Sequence, residues 1–562
     1  MFTNQDVDYS LNAPCRCLGS VAPPQKSSAK IDADDGLGDE GGGEADIADG
    51  WGNDYDDDDL ASSQANQRFL VGTAIPSVSK ISDGDELVEE ADEDRVNRLH
   101  LLKYHEDSHE LLLESSWAHP TGEVWAMSCH PTRPDWVVTC GGGSVFASSA
   151  IEEGCGDEND DAAASSDPAA AALTQFKTTL WRIPDAGGEE SGGGLGFDDE
   201  DKSASDTLEA VVSIPHGTTE SASASGWEQR VSQVLWNPLL LSASSGDALY
   251  DLAETSSDDG GGNLITVGWG KDSPIMLWDI SALSEVKEVW SARGGLMVPR
   301  KRSHLSALSS ALPRKVSWDP HDVCNILATS GVDVVAYDMR TASSGGRLAI
   351  RSAHRHGVAD VCHNPLLMGV VVTSGLDGII KVWDIRGISG EVQSQKSART
   401  NPPVLKVLRG GHTHFASNVR YNPFHDQLIL SSGTEGNANL WRVSSCSSAP
   451  LLDMAMDEDD GDGDGAERSL YGDEGEEDET TQEVADENRD ANAPSENEET
   501  SQKEMKGASS SQDIRVSRLE CSDAVSRVVW SSNDPWMYMT LSCDGTVTAQ
   551  FVPSKEKYRI LL

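Results

Sequence analysis

AHRHGVADVCHNPLLMGVVVTSGLDGIIKVWDIR, residues Ala353–Arg386, decides how the rest of the chain is read. His354 stands just before a short strand-like run, VADVCH. An Asn364-Pro365 turn follows, then the β-rich run GVVVTSG. The Asp377-Gly378 pair makes a tight turn into a third alternating run, IIKVWDI, which carries Trp383-Asp384. Three short strands cannot bury both faces alone, so a unit of this kind needs neighbours built the same way.

The spacing supplies those neighbours. His363, before Asn364-Pro365, lies about 20 residues before Trp383; Tyr421, before Asn422-Pro423, lies about 20 before Trp441. Trp318, before Asp319-Pro320, lies about 19 before Tyr337-Asp338, and Trp530 about 21 before Phe551. Two copies are stretched by inserted loops: Trp236-Asn237-Pro238 to Trp278-Asp279, and Cys129-His130-Pro131 to Trp181-Arg182. Repeats of this period mark stacked or radial architectures, and strand-only repeats of this kind mark a β-propeller.

The Trp at the end of each third strand can give its indole N–H to a buried acceptor. The turn acid and the entry His can join it in a polar network within the blade, an arrangement that resembles WD-repeat proteins. The residues read in these roles are the entry histidines His119, His216, His354 and His412, and the third-strand positions Trp181, Trp278-Asp279, Tyr337-Asp338, Trp383-Asp384 and Trp441. Asp377 is read as a partner of Trp383, and Glu435, less regularly, of Trp441. The expected fold is all-β, a seven-bladed WD-repeat β-propeller with long acidic disordered loop insertions.

One propeller over residues 1–562 is expected, with repeats near 68–117, 123–183, 231–280, 315–340, 353–386, 412–443 and 524–552. The acidic insertions fall at 25–67, 143–175, 185–206, 242–262 and 446–512. Val7–Leu18 reads as weakly strand-like, broken by Pro14. The apolar ending Tyr558–Leu562 is expected to be the outer strand of the last blade, closing the ring and removing its free edge.

The formal net charge of −51 over 562 residues is concentrated in those insertions, while the segments between them are rich in Val, Leu, Ile and Trp. This describes one folded core carrying acidic loops. It argues against nucleic-acid binding, which needs Lys and Arg for phosphate, and against adhesion to anionic lipid by charge. None of the ten cysteines forms a C-x-x-C pair, and Cys15-x-Cys17 is too tight for a zinc knuckle. With no signal peptide read at Met1–Ser20, reduced cytosolic thiols are expected. No apolar run reaches the roughly 18 residues of a membrane span.

Motifs that could carry chemistry read as structural. Asp460–Gly465 resembles the start of a calcium loop, but Tyr471 stands where a bidentate Glu is needed. His354, His356 and His363, like His412 and His414, fall at repeat-equivalent positions, which suits structural histidines better than metal ligands. Ser191–Gly196 lacks the lysine of a phosphate loop, and no nucleophile elbow or HExxH occurs. The chain is read as a non-enzyme without cofactor or metal. Tyr337-Asp-Met-Arg340 and Trp383-Asp-Ile-Arg386 fit a W-D-x-R form that resembles the docking box of propellers serving cullin–RING ubiquitin ligases.

Several stretches together resemble one particular family. They are RFLVGT (Arg68–Thr73), GEVWAMSCHP (Gly122–Pro131), the opening unit, HTHFASNVRYNPFHDQLILSSG (His412–Gly433), and SSNDPWMYMTLSCDG with KYRILL at the end (Ser531–Leu562). Their order and spacing are similar to those of the EARP- and GARP-complex-interacting proteins, in which a first strand also falls at Val7–Leu18. That resemblance implies a cytosolic, monomeric seven-bladed scaffold without membrane insertion. It implies a partner in the two related tethering complexes, at the trans-Golgi network and recycling endosomes, and a role in endosomal recycling and retrograde transport. It carries no residue-level site. Two other readings stay open: a ligase substrate receptor through Arg340 and Arg386, and a histone- or basic-protein binder through the acidic loops.

Overall fold

Strand burial sorts by position within each repeat. Second strands such as Trp136–Gly142, Val370–Gly375, Leu428–Gly433 and Met537–Ser542 are buried at every residue. The outer strand Asp513–Glu520 has no buried residue. A strand covered on both faces reads as a continuous run of apolar and small hydroxyl residues, whereas an outer one tolerates charge.

The computed structural model describes residues 6–23, 67–76, 96–142, 176–184, 207–216, 230–238, 262–269, 273–292, 313–340, 346–388, 401–449 and 513–562. Among these, 28 strands form seven four-stranded antiparallel sheets. The first six are blades in chain order: Cys15–Ser20 to Glu110–Ala118, Glu123–Cys129 to Glu209–Ile214, Val231–Trp236 to Lys287–Ala292, Val316–Trp318 to Arg347–Ile350, Val358–His363 to Val404–Leu408, and Ala416–Tyr421 to Asp513–Glu520. The seventh joins Val525–Trp530, Met537–Ser542 and Thr546–Phe551 to Val7–Ser10 from the opposite end of the chain. Most of the acidic insertions named above, and the calcium-like and glycine-rich motifs, lie outside the described residues.

Two expectations need correction. Val7–Leu18 is two strands, not one. Val7–Ser10 pairs with Thr546–Ala549 of blade 7, and Cys15–Ser20 becomes the inner strand of blade 1. The turn between them includes Asn12 at φ +52, a backbone region that Asn adopts more readily than most residues. The second correction concerns the C-terminus. Ser554–Leu561 is a helix, α1, and not the outer strand of the last blade. That edge is already filled by Val7–Ser10. Val552 and Ile560 join the apolar cluster between blades 6 and 7, and Glu556 between them forms a buried ion pair with Arg442 of blade 6. Glu556 and Ile560, four apart, share one face of that helix, and Lys, Glu and Arg are good helix formers.

Among the described residues the apolar core is divided: seven clusters fill the seven interfaces between successive blades. Val372 and Ile380 of blade 5, for example, pack with Tyr421 and Trp441 of blade 6, and Phe69 of blade 1 packs with Met539 of blade 7. Burial between blades, rather than within them, makes closure of the ring part of the stability of each blade.

Gly378 shows how narrowly the turns are set. Its φ is +69, and a Cβ there would come within 2.8 Å of the His414 carbonyl oxygen of blade 6. The Asp377-Gly378 turn therefore serves the inter-blade fit as well as its own hairpin.

Candidate docking surface

The predicted repeat residues meet, but through a hydroxyl that the spacing argument missed. In blade 5 the Trp383 indole donates to Thr373 Oγ1 at 2.9 Å, His354 Nε2 lies 2.8 Å from the same oxygen, and His354 Nδ1 lies 2.9 Å from Asp377 Oδ1. In blade 6 Trp441 and His412 meet on Ser431 Oγ at 2.9 and 2.8 Å, and His412 Nδ1 reaches Glu435 Oε1 at 2.6 Å. In blade 2 Trp181 and His119 meet on Thr139 Oγ1, each at 2.8 Å, with the Gly122 carbonyl in place of the acid. In blade 3 Trp278 and His216 meet on Thr266 Oγ1 at 2.8 and 2.7 Å. Asp377 and Glu435 are thus linked to Trp383 and Trp441 only through a histidine and a hydroxyl.

The polarity of the chain in blade 5 follows from what each group can donate. Ionised Asp377 only accepts, so His354 Nδ1 carries the proton, and Nε2 accepts from Thr373, which in turn accepts from Trp383. Burial pushes the His354 imidazole below its ordinary value, with Asp377 opposing. Burial also raises the Asp377 carboxyl, but the hydrogen bond and charge of His354 and the Arg355 and Ile379 amides bring it down to about 2. His119 and His216 are lowered to about 4 by burial. These are neutral, structural histidines.

Blade 4 departs from the pattern. Tyr337 takes the Trp position, and Arg314 donates to its hydroxyl at 2.6 Å. Ten residues separate Trp383 from Thr373 and Trp441 from Ser431. A search for Ser or Thr at that offset would have found the missing members in the compact blades; the insertion in blade 2 hides it.

Asp279, Asp338 and Asp384, which follow the Trp or Tyr, do something else. Each accepts the backbone N–H two residues on, at 3.0 Å, from Ser281, Arg340 and Arg386. Arg340 and Arg386 then fold back, each donating Nε to its own Asp at 2.9 Å. Both side chains are 57% exposed. They stand on successive blades, at the end where inner strands turn into second strands: Ile385 N–H bonds the Gly369 carbonyl at 2.8 Å, and Arg340 reaches Asp322 at 3.4 Å.

The turns at this end are stitched from blade to blade. Asn364 Oδ1 accepts from the Leu366 and Leu367 amides at 2.8 Å, and its Nδ2 donates to Asp426 of blade 6 at 2.9 Å. Asn422 holds the Phe424 and His425 amides in the same way and donates to the Pro535 carbonyl of blade 7 at 2.6 Å. His425 stacks on Trp536, with centroids 4.5 Å apart. The Asn-Pro signals of the repeat are therefore Asx turns that also bind neighbouring blades. They hold Leu366, Met368 and Phe424 exposed, Met368 at 64%.

Among the described residues, no group of three or more His, Cys, Asp or Glu side chains could hold a metal, and no helix is long and apolar enough to cross a membrane.

Closed sheets and shared polar networks define a seven-bladed propeller of the WD-repeat class. The resemblance to the EARP- and GARP-complex-interacting proteins is borne out by comparison with known proteins. Residues 300–441 match the family described as the EIPR1 beta-propeller. The chain is 25% identical over 470 residues to the EARP-interacting protein homolog of Gekko japonicus, covering 83% of this chain and 90% of the relative. It is 24% identical over 474 residues to EARP and GARP complex-interacting protein 1 of Homo sapiens, with the same coverage. It is also 24% identical over 456 residues to the WD repeat-containing protein DWA2 of Arabidopsis thaliana, covering 81% and 86%.

Proposed function

We propose that this chain is a non-catalytic scaffold that binds an EARP- or GARP-type vesicle tethering complex and serves endosomal recycling and endosome-to-Golgi retrograde transport. One coincidence of position carries the reading. The stretch that matches the EIPR1 beta-propeller family, 300–441, holds the stitched turns of blades 4–6 with Leu366, Met368 and Phe424, and both clamped arginines. Exposed apolar side chains on a rigid rim are what a partner surface uses as anchors. In this reading the propeller works as a monomer in the cytoplasm. Its partner recruits it peripherally to the trans-Golgi network and endosomes, and it binds neither nucleic acid nor the bilayer directly.

Affinity purification of the tagged chain from its own cells, followed by mass spectrometry, tests this. Tether subunits should be recovered. Recovery of histones or of cullin–ligase components without tether subunits would overturn it. A second reading has one observation in its favour: Arg340 and Arg386, on successive blades and held by Asp338 and Asp384, are both exposed as a ligase adaptor would require. Under that reading Arg340→Ala with Arg386→Ala abolishes adaptor capture and leaves tether capture intact. The basic-protein reading depends on the acidic insertions and predicts capture that vanishes when 446–512 is deleted.

A further inference from the structure

Helix α1 buries one face and turns another outward. Glu556 and Ile560, four apart, face the interface between blades 6 and 7. Tyr558, Leu561 and the C-cap Leu562, three and four apart, share the opposite side. Tyr558 is 66% exposed and Leu561 62%; of the other large apolar residues described, only Met368 and Leu562 reach that range. Lys555 and Arg559, also exposed, run along one flank of this stripe, and the half-buried Lys557 lies on the other. Glu556 is the one acid in α1, and it is committed to Arg442. The outward side of the helix is therefore apolar along its middle and basic at both borders.

This helix is anchored. The Glu556 and Lys557 amides bond the Pro553 carbonyl at 2.9 and 3.1 Å, and just ahead of them the Val552 amide bonds the Trp536 carbonyl at 2.8 Å. Val552 and Ile560 pack into the cluster between blades 6 and 7, and the ion pair to Arg442 is buried. The helix also adjoins the rim described above. The Lys557 ammonium lies 6.0 Å from the centroid of the Trp536 ring. That ring stacks on His425, and His425 follows the exposed Phe424. Two side-chain contacts thus lead from the rim of blade 6 to α1.

A seam of apolar residues at spacings of three and four, bordered by cations, is complementary to an amphipathic helix with an apolar stripe and acidic flanks. Its apolar stripe covers Tyr558 and Leu561 while its carboxylates meet Lys555 and Arg559. Because α1 is already fixed, little ordering opposes such docking. A second copy of α1 would instead bring cations against cations. An anionic bilayer would face the whole end of a chain with net charge −51, whereas a helix meets only the seam.

We propose that the outward face of α1 is a docking site for an acidic amphipathic helix of the partner protein, extending the rim of blades 4–6 to blade 7. The proposal rests on the tether reading above and adds the kind of element by which the tether is held.

The test places the photo-cross-linker p-benzoyl-phenylalanine at Tyr558 of the full tagged chain in its own cells. After irradiation the adducts are purified and mapped by mass spectrometry. The expected adduct is a tether-subunit segment whose apolar residues recur three and four apart with Asp or Glu beside them. In parallel, Tyr558→Ser with Leu561→Ser should cut tether capture at least fivefold, and Lys555→Glu with Arg559→Glu should do the same. Both variants change exposed side chains and should keep the melting temperature within a degree or two, so the loss cannot be assigned to unfolding. Lys555→Arg with Arg559→Lys keeps the charges and should retain capture. Adducts only to lipid, only to a second copy of this chain, or only to a segment without acidic flanks overturn the proposal. If the unaltered chain captures tether subunits and both variants capture them equally well, the docking proposal falls and the tether reading stands. If the unaltered chain captures none, the tether reading falls and takes the docking proposal with it.

Discussion

Arg442 and Glu556, 114 residues apart, form a buried ion pair that fastens helix α1 to the third strand of blade 6. Breaking a buried pair by removing one member costs about 3–5 kcal/mol. Glu556→Ala should therefore lower the unfolding midpoint strongly in a urea titration. Replacing both residues with apolar ones of similar size, Arg442→Met with Glu556→Leu, should recover most of the loss. If the double variant is no better than the single, the ion pair is not what holds the helix.

Ring closure rests on the other end of the chain. Val7–Ser10 contributes backbone pairing to Thr546–Ala549, and Val7, Tyr9 and Leu11 cover the apolar cluster between blades 7 and 1. Deleting residues 1–11 exposes the edge of Thr546–Phe551 and part of that cluster. It should lower the melting temperature more than deleting Tyr558–Leu562, whose Tyr558 and Leu561 side chains are exposed. The reverse order would mean that the C-terminal segment closes the ring after all.

The hydroxyl of Thr373 satisfies two buried groups at once, the Trp383 indole and His354 Nε2. Thr373→Val keeps the shape and leaves both unpaired, at about 1–3 kcal/mol for each orphaned group. Thr373→Ser keeps the oxygen and should cost far less. Chemical denaturation of the two variants separates loss of the hydroxyl from loss of the methyl group; equal destabilisation would deny the hydroxyl its bridging role.

Sequence spacing reached the blades and the Trp and His positions because those features recur at nearly fixed offsets. It missed what does not recur. The bridging hydroxyl alternates between Thr and Ser. The inner strands place Cys17, Gln233, Asp360 and Arg527 at matching bulge positions, four chemistries with no common pattern. The closing strand was misplaced for a related reason. A four-residue run with alternating exposure, Val7–Ser10, does not indicate which distant edge it will pair with, and the five apolar-leaning residues at the C-terminus are too few to separate a helical from an extended period. The Asx turns are legible as turns, while the bonds from Asn364 to Asp426 and from Asn422 to Pro535 join different repeats and cannot be seen within one.

The neutral histidines set a pH dependence. His119 and His216 are held at about 4 in the folded state by burial, against an ordinary value of 6.5. Between these values the unfolded chain takes up protons that the folded chain refuses. Their contribution is thus complete above pH 6.5 and is lost as pH falls through the folded value, at up to about 1.4 kcal/mol per pH unit for each histidine. Asp377, at about 2 against an ordinary 3.8, adds its own loss only below that window. Melting curves should fall steadily from pH 6.5 to 4.5, and His119→Gln should flatten the slope even while lowering the plateau. A melting temperature constant over this range would refute neutral burial.

The last prediction separates the rim from the fold. Leu366, Met368 and Phe424 stand exposed on turns whose shape comes from Asn364 and Asn422, not from their own side chains. Replacing all three with Ser removes apolar surface from water rather than from a core, so the melting temperature should move by no more than a degree or two. Capture of the tethering complex should nevertheless drop at least tenfold, since a few apolar anchors carry most of the energy of such contacts. Arg340→Ala with Arg386→Ala is the matched control. It removes two exposed side chains at the same end of the same blades, each already satisfied by its own Asp, and should leave tether capture unchanged. If the arginine pair abolishes capture and the apolar triple does not, recognition at this rim is electrostatic, and the partner surface must be acidic rather than apolar.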